Sequence, residues 1–153
     1  MSNQASKTLA KLLSSTSSLE FLNLSYTIFN LEPARKIFDG LYANSSIQYL
    51  NLSRNKFSHY AKEYGSRIGR LIQIHPRLVH LDIQFCKLTK EEILYICGCV
   101  RNSISLMAIH LGMNNIDLET RQAARAILNA DVKFPFRSIL NKIEKIKTAE
   151  DKY

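Results

Sequence analysis

Apolar residues return along this chain in a fixed eleven-position pattern. Four segments share it without gaps: LEFLNLSYTIF from Leu19, IQYLNLSRNKF from Ile47, LVHLDIQFCKL from Leu78 and LMAIHLGMNNI from Leu106. The starts lie 28, 31 and 28 residues apart, and positions one, four, six and eleven are Leu, Ile or Phe every time. Apolar residues two apart have the period of a strand. Leu22 and Leu24 therefore point to one side, and Phe21, Asn23 and Ser25 to the other. A turn follows where the alternation stops, with Thr27, Asn55, Cys86 and Asn114 at the ninth position. A small polar side chain buried there can bond the backbone groups that leave the strand ladder. Cys86 at this position reads as structural, not reactive.

Helical spacing follows each strand. Pro33 sits where a first helical residue belongs, ahead of Ile37, Phe38 and Leu41. Ser58 is placed to cap a helix carrying Tyr60, Ala61, Tyr64, Ile68, Leu71 and Ile72. Thr89 and Glu92 make a capping box before Ile93, Ile96, Cys97 and Val100. Asp117 is placed to cap a helix with Ala123, Ala124, Ile127 and Leu128. Before the first repeat, Ser6 to Ser14 bring Leu9, Leu12 and Leu13 onto one helical face. After Pro135, the residues Phe136, Ile139, Leu140, Ile143 and Ile146 predict an amphipathic helix, with Lys142, Lys145 and Lys147 on its outer side. This last helix either caps the stack, whose open ends need covering, or binds a partner. The expected organisation is an N-terminal capping helix over 1–18, four repeats over 19–130, and a C-terminal helix with a frayed tail over 131–153.

A strand and a full helix in repeats of 28 to 31 residues, with this consensus, resemble the leucine-rich repeats of the ribonuclease-inhibitor subfamily. The likeness spans residues 19–130. It implies an α/β solenoid, a right-handed β-α superhelix with parallel strands on the concave face and helices on the convex face. The phrases SLMAIHLGMNN and RLVHLDIQFCKLTKEEI are also similar to repeats of protist intracellular proteins, ciliary ones included.

The resemblance further implies that a partner meets the concave face. Positions three, five, seven and eight supply the candidate binding residues: Phe21, Asn23, Tyr49, Asn51, Arg54, His80, Asp82, Gln84, Phe85 and His110. Tyr26 and Met113 share the eighth position with Arg54 and Phe85. Tyr, Phe and Arg are enriched where binding energy concentrates. The alternative is that the chain's own termini cover these rings. His80, Asp82 and His110 read as a polar cross-strand surface; no metal site and no cofactor are expected.

Charge adds a second candidate. Lys and Arg total 21 against 13 Asp and Glu, a net charge of +8, which draws acidic partners. The run Arg54, Lys56, Lys62, Arg67, Arg70 and Arg77 meets only one acid, Glu63. It reads either as a basic patch or as an ordinary solvated helical face. No nucleic-acid motif accompanies it, so an acidic protein partner is preferred over nucleic acid.

The remaining totals exclude whole classes. A content of 46% hydrophobic and 22% charged residues suits a globular domain, not a disordered one. No apolar run approaches the ~18 residues of a membrane span, and the start MSNQASKTLAKLL does not read as a secretory signal. Three cysteines without framework spacing fit a cytoplasmic protein, with a cytoskeletal or ciliary setting as the finer expectation. Phosphate-loop, dinucleotide and nucleophile-elbow motifs are all missing. GTPase-activating proteins of the Ran system use this repeat type; their functional residues do not map onto these units, and a regulator of that type is the minor alternative. The expected function is a non-catalytic protein-interaction scaffold or assembly subunit. The alternative is an electrostatic binder of an acidic polymer.

Overall fold

The computed structural model describes residues 2–28, 30–55, 61–114 and 116–129. Its elements alternate: α1 (Asn3–Ser15), β1 (Phe21–Asn23), α2 (Leu31–Ala43), β2 (Tyr49–Asn51), α3 (Ala61–Ile74), β3 (His80–Asp82), α4 (Lys90–Arg101), β4 (Ala108–His110) and α5 (Leu118–Asn129). The strands pair in parallel and in chain order. Phe21, Tyr49, His80 and Ala108 form the first rung. Leu22, Leu50, Leu81 and Ile109 form the second, and Asn23, Asn51, Asp82 and His110 the third.

The second rung is the inward one. Leu50, Leu81 and Ile109, joined by Leu24, Leu52, Ile83 and Leu111 from position six, are buried together with Ile37, Leu41, Ile68, Leu71, Ile93 and Ile96 of the helices. Leu22, in the terminal strand, is only partly buried. Truncating one of the central leucines to Ala costs about 2–5 kcal/mol in such a core.

The ninth position knits the turns together. Asn55 is fully buried. It donates to the carbonyls of Leu24 and Leu52, both at 2.8 Å, and its Oδ1 accepts from the Ile28 N–H at 3.0 Å. Asn114 repeats the device, donating to Ile83 and Leu111 and accepting from the N–H groups of Cys86 and Leu88. Each asparagine thus ties its own turn to the preceding one. Thr27 donates to Leu24 O at 2.6 Å. The Cys86 thiol lies 3.3 Å from Leu52 O, and burial pushes its pKa up to about 12. It stays a thiol at neutral pH, as a structural residue should.

A second polar column, three residues before each repeat, closes the opposite turns. Asn44 donates to Leu13 O and accepts from the N–H groups of Ser46 and Ile47. Ser103 donates to Ile72 O and accepts from the Leu106 N–H. His75 holds the same place in the third repeat. Its Nδ1 accepts from the Arg77 N–H at 3.3 Å, while Nε2 has no hydrogen-bond partner among the described residues.

Two helix expectations need adjustment and two are met. Helix α2 begins at Leu31, with Asn30 at the cap position, so Pro33 is the third helical residue and not the first. A proline fits there because N–H groups of a first turn have no intrahelical acceptor. Leu12 is 54% exposed, and α1 buries Ser6 and Leu13 instead. Its approach to α2 is so close that a Cβ on Gly40 would lie 2.7 Å from Ala10 O. The Thr89–Glu92 capping box is present, and Glu92 reaches further to accept the Gly65 N–H of α3 at 3.1 Å. Asp117 caps α5 through the Thr120 N–H. The expected cap Ser58 with Tyr60, and the segment 131–153, lie outside the described residues.

Two outcomes follow. Asn55→Ala removes the amide donor shared by the Leu24 and Leu52 carbonyls and leaves the Ile28 N–H without its acceptor, and should lower stability by about 2–4 kcal/mol in urea unfolding. His75 is the pH-sensitive joint. Burial lowers its pKa from 6.5, so the folded protein holds this proton less readily than the unfolded chain. Its contribution is complete above the unfolded value and is lost as pH falls through 6.5 toward the folded one. Glu92, raised by burial, acts in the opposite sense. His75→Asn, which copies Asn44 and keeps Glu92, should lose less stability than wild type between pH 7.5 and 5.5.

Candidate functional site

Position three turns away from the core and builds a row of rings. Phe21 is 65% and Tyr49 39% exposed. Their centroids lie 4.4 Å apart with an interplanar angle of 4°. The ring of His80 follows 5.8 Å from Tyr49. On β4 the third position is the small, buried Ala108, and the row steps diagonally to His110, 4.7 Å from His80. The stacking follows from register: parallel strands stand about 4.8 Å apart, which is ring-stacking distance. Phe21, Tyr49, Asn23, Asn51, His80 and Asp82 line a groove of about 300 Å³ beside this row.

The fifth position is partly committed to the fold. The side-chain oxygens of Asn23, Asn51 and Asp82 accept from the N–H groups of Ser25, Ser53 and Gln84 at 2.9, 2.8 and 2.9 Å. These Asx turns steer the chain out of each strand and fix the groove floor. At the seventh position Gln84 leans over Gly112, where a Cβ would lie 3.1 Å from its Nε2.

The eighth position forms a second row. Tyr26, Arg54, Phe85 and Met113 have φ of 56, 60, 55 and 57°, a left-handed conformation that costs a non-glycine residue about 1–2 kcal/mol. The Arg54 guanidinium carbon sits 4.1 Å from the Phe85 ring centre and 5.1 Å from that of Tyr26. Sequence reading placed Arg54 and Phe85 among the candidates and left Tyr26 out. The recurrence of Tyr, Arg, Phe and Met at one repeat position was the available signal.

Arg54, Arg67, Arg70 and Arg77 do not share one surface. Arg54 belongs to the sheet side. Arg67, on α3, pairs with Glu63 at 3.0 Å and Asp39 at 3.6 Å. Arg70 covers the Tyr42 ring at 4.7 Å, and Arg77 is exposed beyond the end of α3. Lys62 lies in α3, and Lys56 is outside the described residues. Glu63 also receives both arms of Arg35, at 2.6 and 2.9 Å, which holds its carboxyl down to about 2. The run of cations in sequence crosses a turn, a helix and a loop, and its one acid is fully ionised at the centre of a network.

Candidate chemistry elsewhere is quiet. Cys97 and Cys99 are buried in α4, and burial pushes both thiols up, Cys97 to about 12. Among the described residues no three His, Cys, Asp or Glu side chains gather as metal ligands, and no helix is long and apolar enough to cross a membrane.

A strand, a polar-bridged turn and a helix, repeated around one parallel sheet, define an α/β solenoid of the leucine-rich-repeat type. No family model matches the chain, and no curated protein matches it. Among solved structures it is similar to the tropomodulin C-terminal domain of Caenorhabditis elegans, with a TM-score of 0.59 and 12% identity over 98% of each chain. At that identity the likeness is one of fold.

The exposed ring pair makes a direct prediction. Phe21→Ala removes a stack worth about 0.5–1.5 kcal/mol and almost no core. Its urea midpoint should shift far less than that of Leu50→Ala.

Proposed function

We propose that the protein is a non-catalytic protein-binding module that presents its parallel sheet to a segment of a partner. The observation that carries this reading is the stacked, solvent-facing pair of Phe21 and Tyr49 at 4.4 Å. The fold does not need these rings outside. Position three of β4 is the small Ala108, and the strand there pairs equally well. Exposed aromatic side chains on a rigid frame lose little entropy on binding, and such groups serve as anchors in interfaces.

The polar groove beside the rings supports recognition more than catalysis. Its third-rung side chains already accept backbone hydrogen bonds, and the buried thiols lie on α4 with raised pKa values. The finer assignment, to the ribonuclease-inhibitor-like kind of repeat, belongs to the same proposal and rests on the strand-plus-helix units of 28 to 31 residues. The basic run is not favoured as the site, because Arg67 is paired with Glu63 and Asp39 and Arg54 faces another way.

Affinity capture from the native source, with the whole chain as bait, tests the reading. A partner retained by wild type should be lost by the Phe21→Ala/Tyr49→Ala double variant while circular dichroism is unchanged. Equal retention by both baits would place binding elsewhere.

A further inference from the structure

Arg54 is the only cation among the outward positions three, five, seven and eight of the four repeats, and Asp82 the only carboxylate. Asp82 already accepts from the Gln84 N–H. Arg54 is exposed and forms no ion pair with any carboxylate among the described residues. Its position is nonetheless fixed. The N–H groups of Tyr26, Arg54 and Phe85 donate to the carbonyls of Ser53, Gln84 and Gly112 at 3.2, 2.9 and 3.2 Å. These bonds keep the three left-handed residues in one row at strand spacing. The guanidinium is therefore held between two rings, 4.1 and 5.1 Å from their centres.

A guanidinium held by cation–π contacts uses none of its N–H donors on a carboxylate. The five N–H donors lie in the plane, where they match a carboxylate. Contact with both rings also restricts the freedom that a lone surface arginine would lose on pairing.

We propose that Arg54 is a carboxylate-reading position and that the occupant of the sheet face is an acidic peptide segment of a partner. The proposal rests on the sheet-face reading above. The segment would set an apolar or aromatic side chain against Phe21 and Tyr49 and place an acidic side chain on Arg54. Tyr49 and Arg54 are five positions apart and the chain turns after Asn51, so the two anchors stand less than about 16 Å apart and at most about five residues apart in an extended peptide. The net charge of +8 favours the approach of such a segment. A nucleic-acid strand fits less well, because its closely spaced phosphates would meet one cation and the carboxylate of Asp82.

A phage-displayed library of random dodecapeptides, selected on the full chain, tests the assignment. Wild type should enrich peptides with an acidic residue within about five positions of an aromatic or aliphatic one. Selection on Arg54→Met, which keeps the apolar stem and loses the charge, should keep the apolar anchor and lose the acid. A synthetic peptide chosen on wild type should bind Arg54→Met about tenfold to hundredfold more weakly, and Arg54→Lys at an intermediate level. Acid-free peptides common to wild type and Arg54→Met would overturn the proposal, as would equal affinity of an acidic peptide for both. Peptides that need Arg54 and ignore Phe21 and Tyr49 would support the arginine's role and overturn the sheet-face reading. Peptides that need the rings and ignore Arg54 would do the reverse, and a wild type that enriches nothing would overturn both.

Discussion

Leu22, Leu50, Leu81 and Ile109 share one rung of the sheet, and the rest of the molecule depends on that register. A shift by one residue would turn every leucine outward and every ring inward. The core thus sets what the solvent face displays. Because each strand has the same phase, equivalent positions fall into rows, and Phe21 meets Tyr49 while Tyr26 meets Arg54. No interaction on the outer face has to be strong to be well defined.

The turns convert register into rigidity. Asn55 and Asn114 each bond carbonyls of their own and the preceding repeat, so a turn cannot relax without its neighbour. This mutual support carries the left-handed backbone of Tyr26, Arg54, Phe85 and Met113. At the other end of the units, Asn44 and Ser103 perform the same task, and His75 performs it with a ring whose second nitrogen has no hydrogen-bond partner among the described residues. The most economical joints are asparagines, and the histidine is the one that responds to pH.

Much of this was legible in the residue pattern. The period of two within eleven positions shows the strands, and the ninth-position polar residues show the turns. The Thr89–Glu92 spacing shows a cap that the structure contains. The helix start at Leu31 was obscured because proline is tolerated throughout a first turn, so Pro33 alone does not fix a boundary. Asn23, Asn51 and Asp82 read as binding groups, and their side-chain oxygens prove to be tied to the backbone two residues on. Asn and Asp do this locally wherever a chain leaves a strand, a point that composition of the face alone conceals. Adjacency in sequence also hides how the cations are distributed over the fold: Arg54 follows a strand, and Arg67 and Arg70 belong to α3. The polar column of Asn44, His75 and Ser103 went unread, although a constant offset of three before each repeat start exposes it.

What the sheet face offers is therefore two parallel rows, one of aromatic rings and one centred on a cation held between two rings, carried on a frame that fixes both. Nuclear magnetic resonance of the intact chain reaches both rows at once. Register-locked stacking predicts cross-peaks between the Phe21 and Tyr49 rings, and Arg54 side-chain protons shifted upfield with contacts to Tyr26 and Phe85. Random-coil shifts for Arg54 together with missing Phe21–Tyr49 contacts would contradict it.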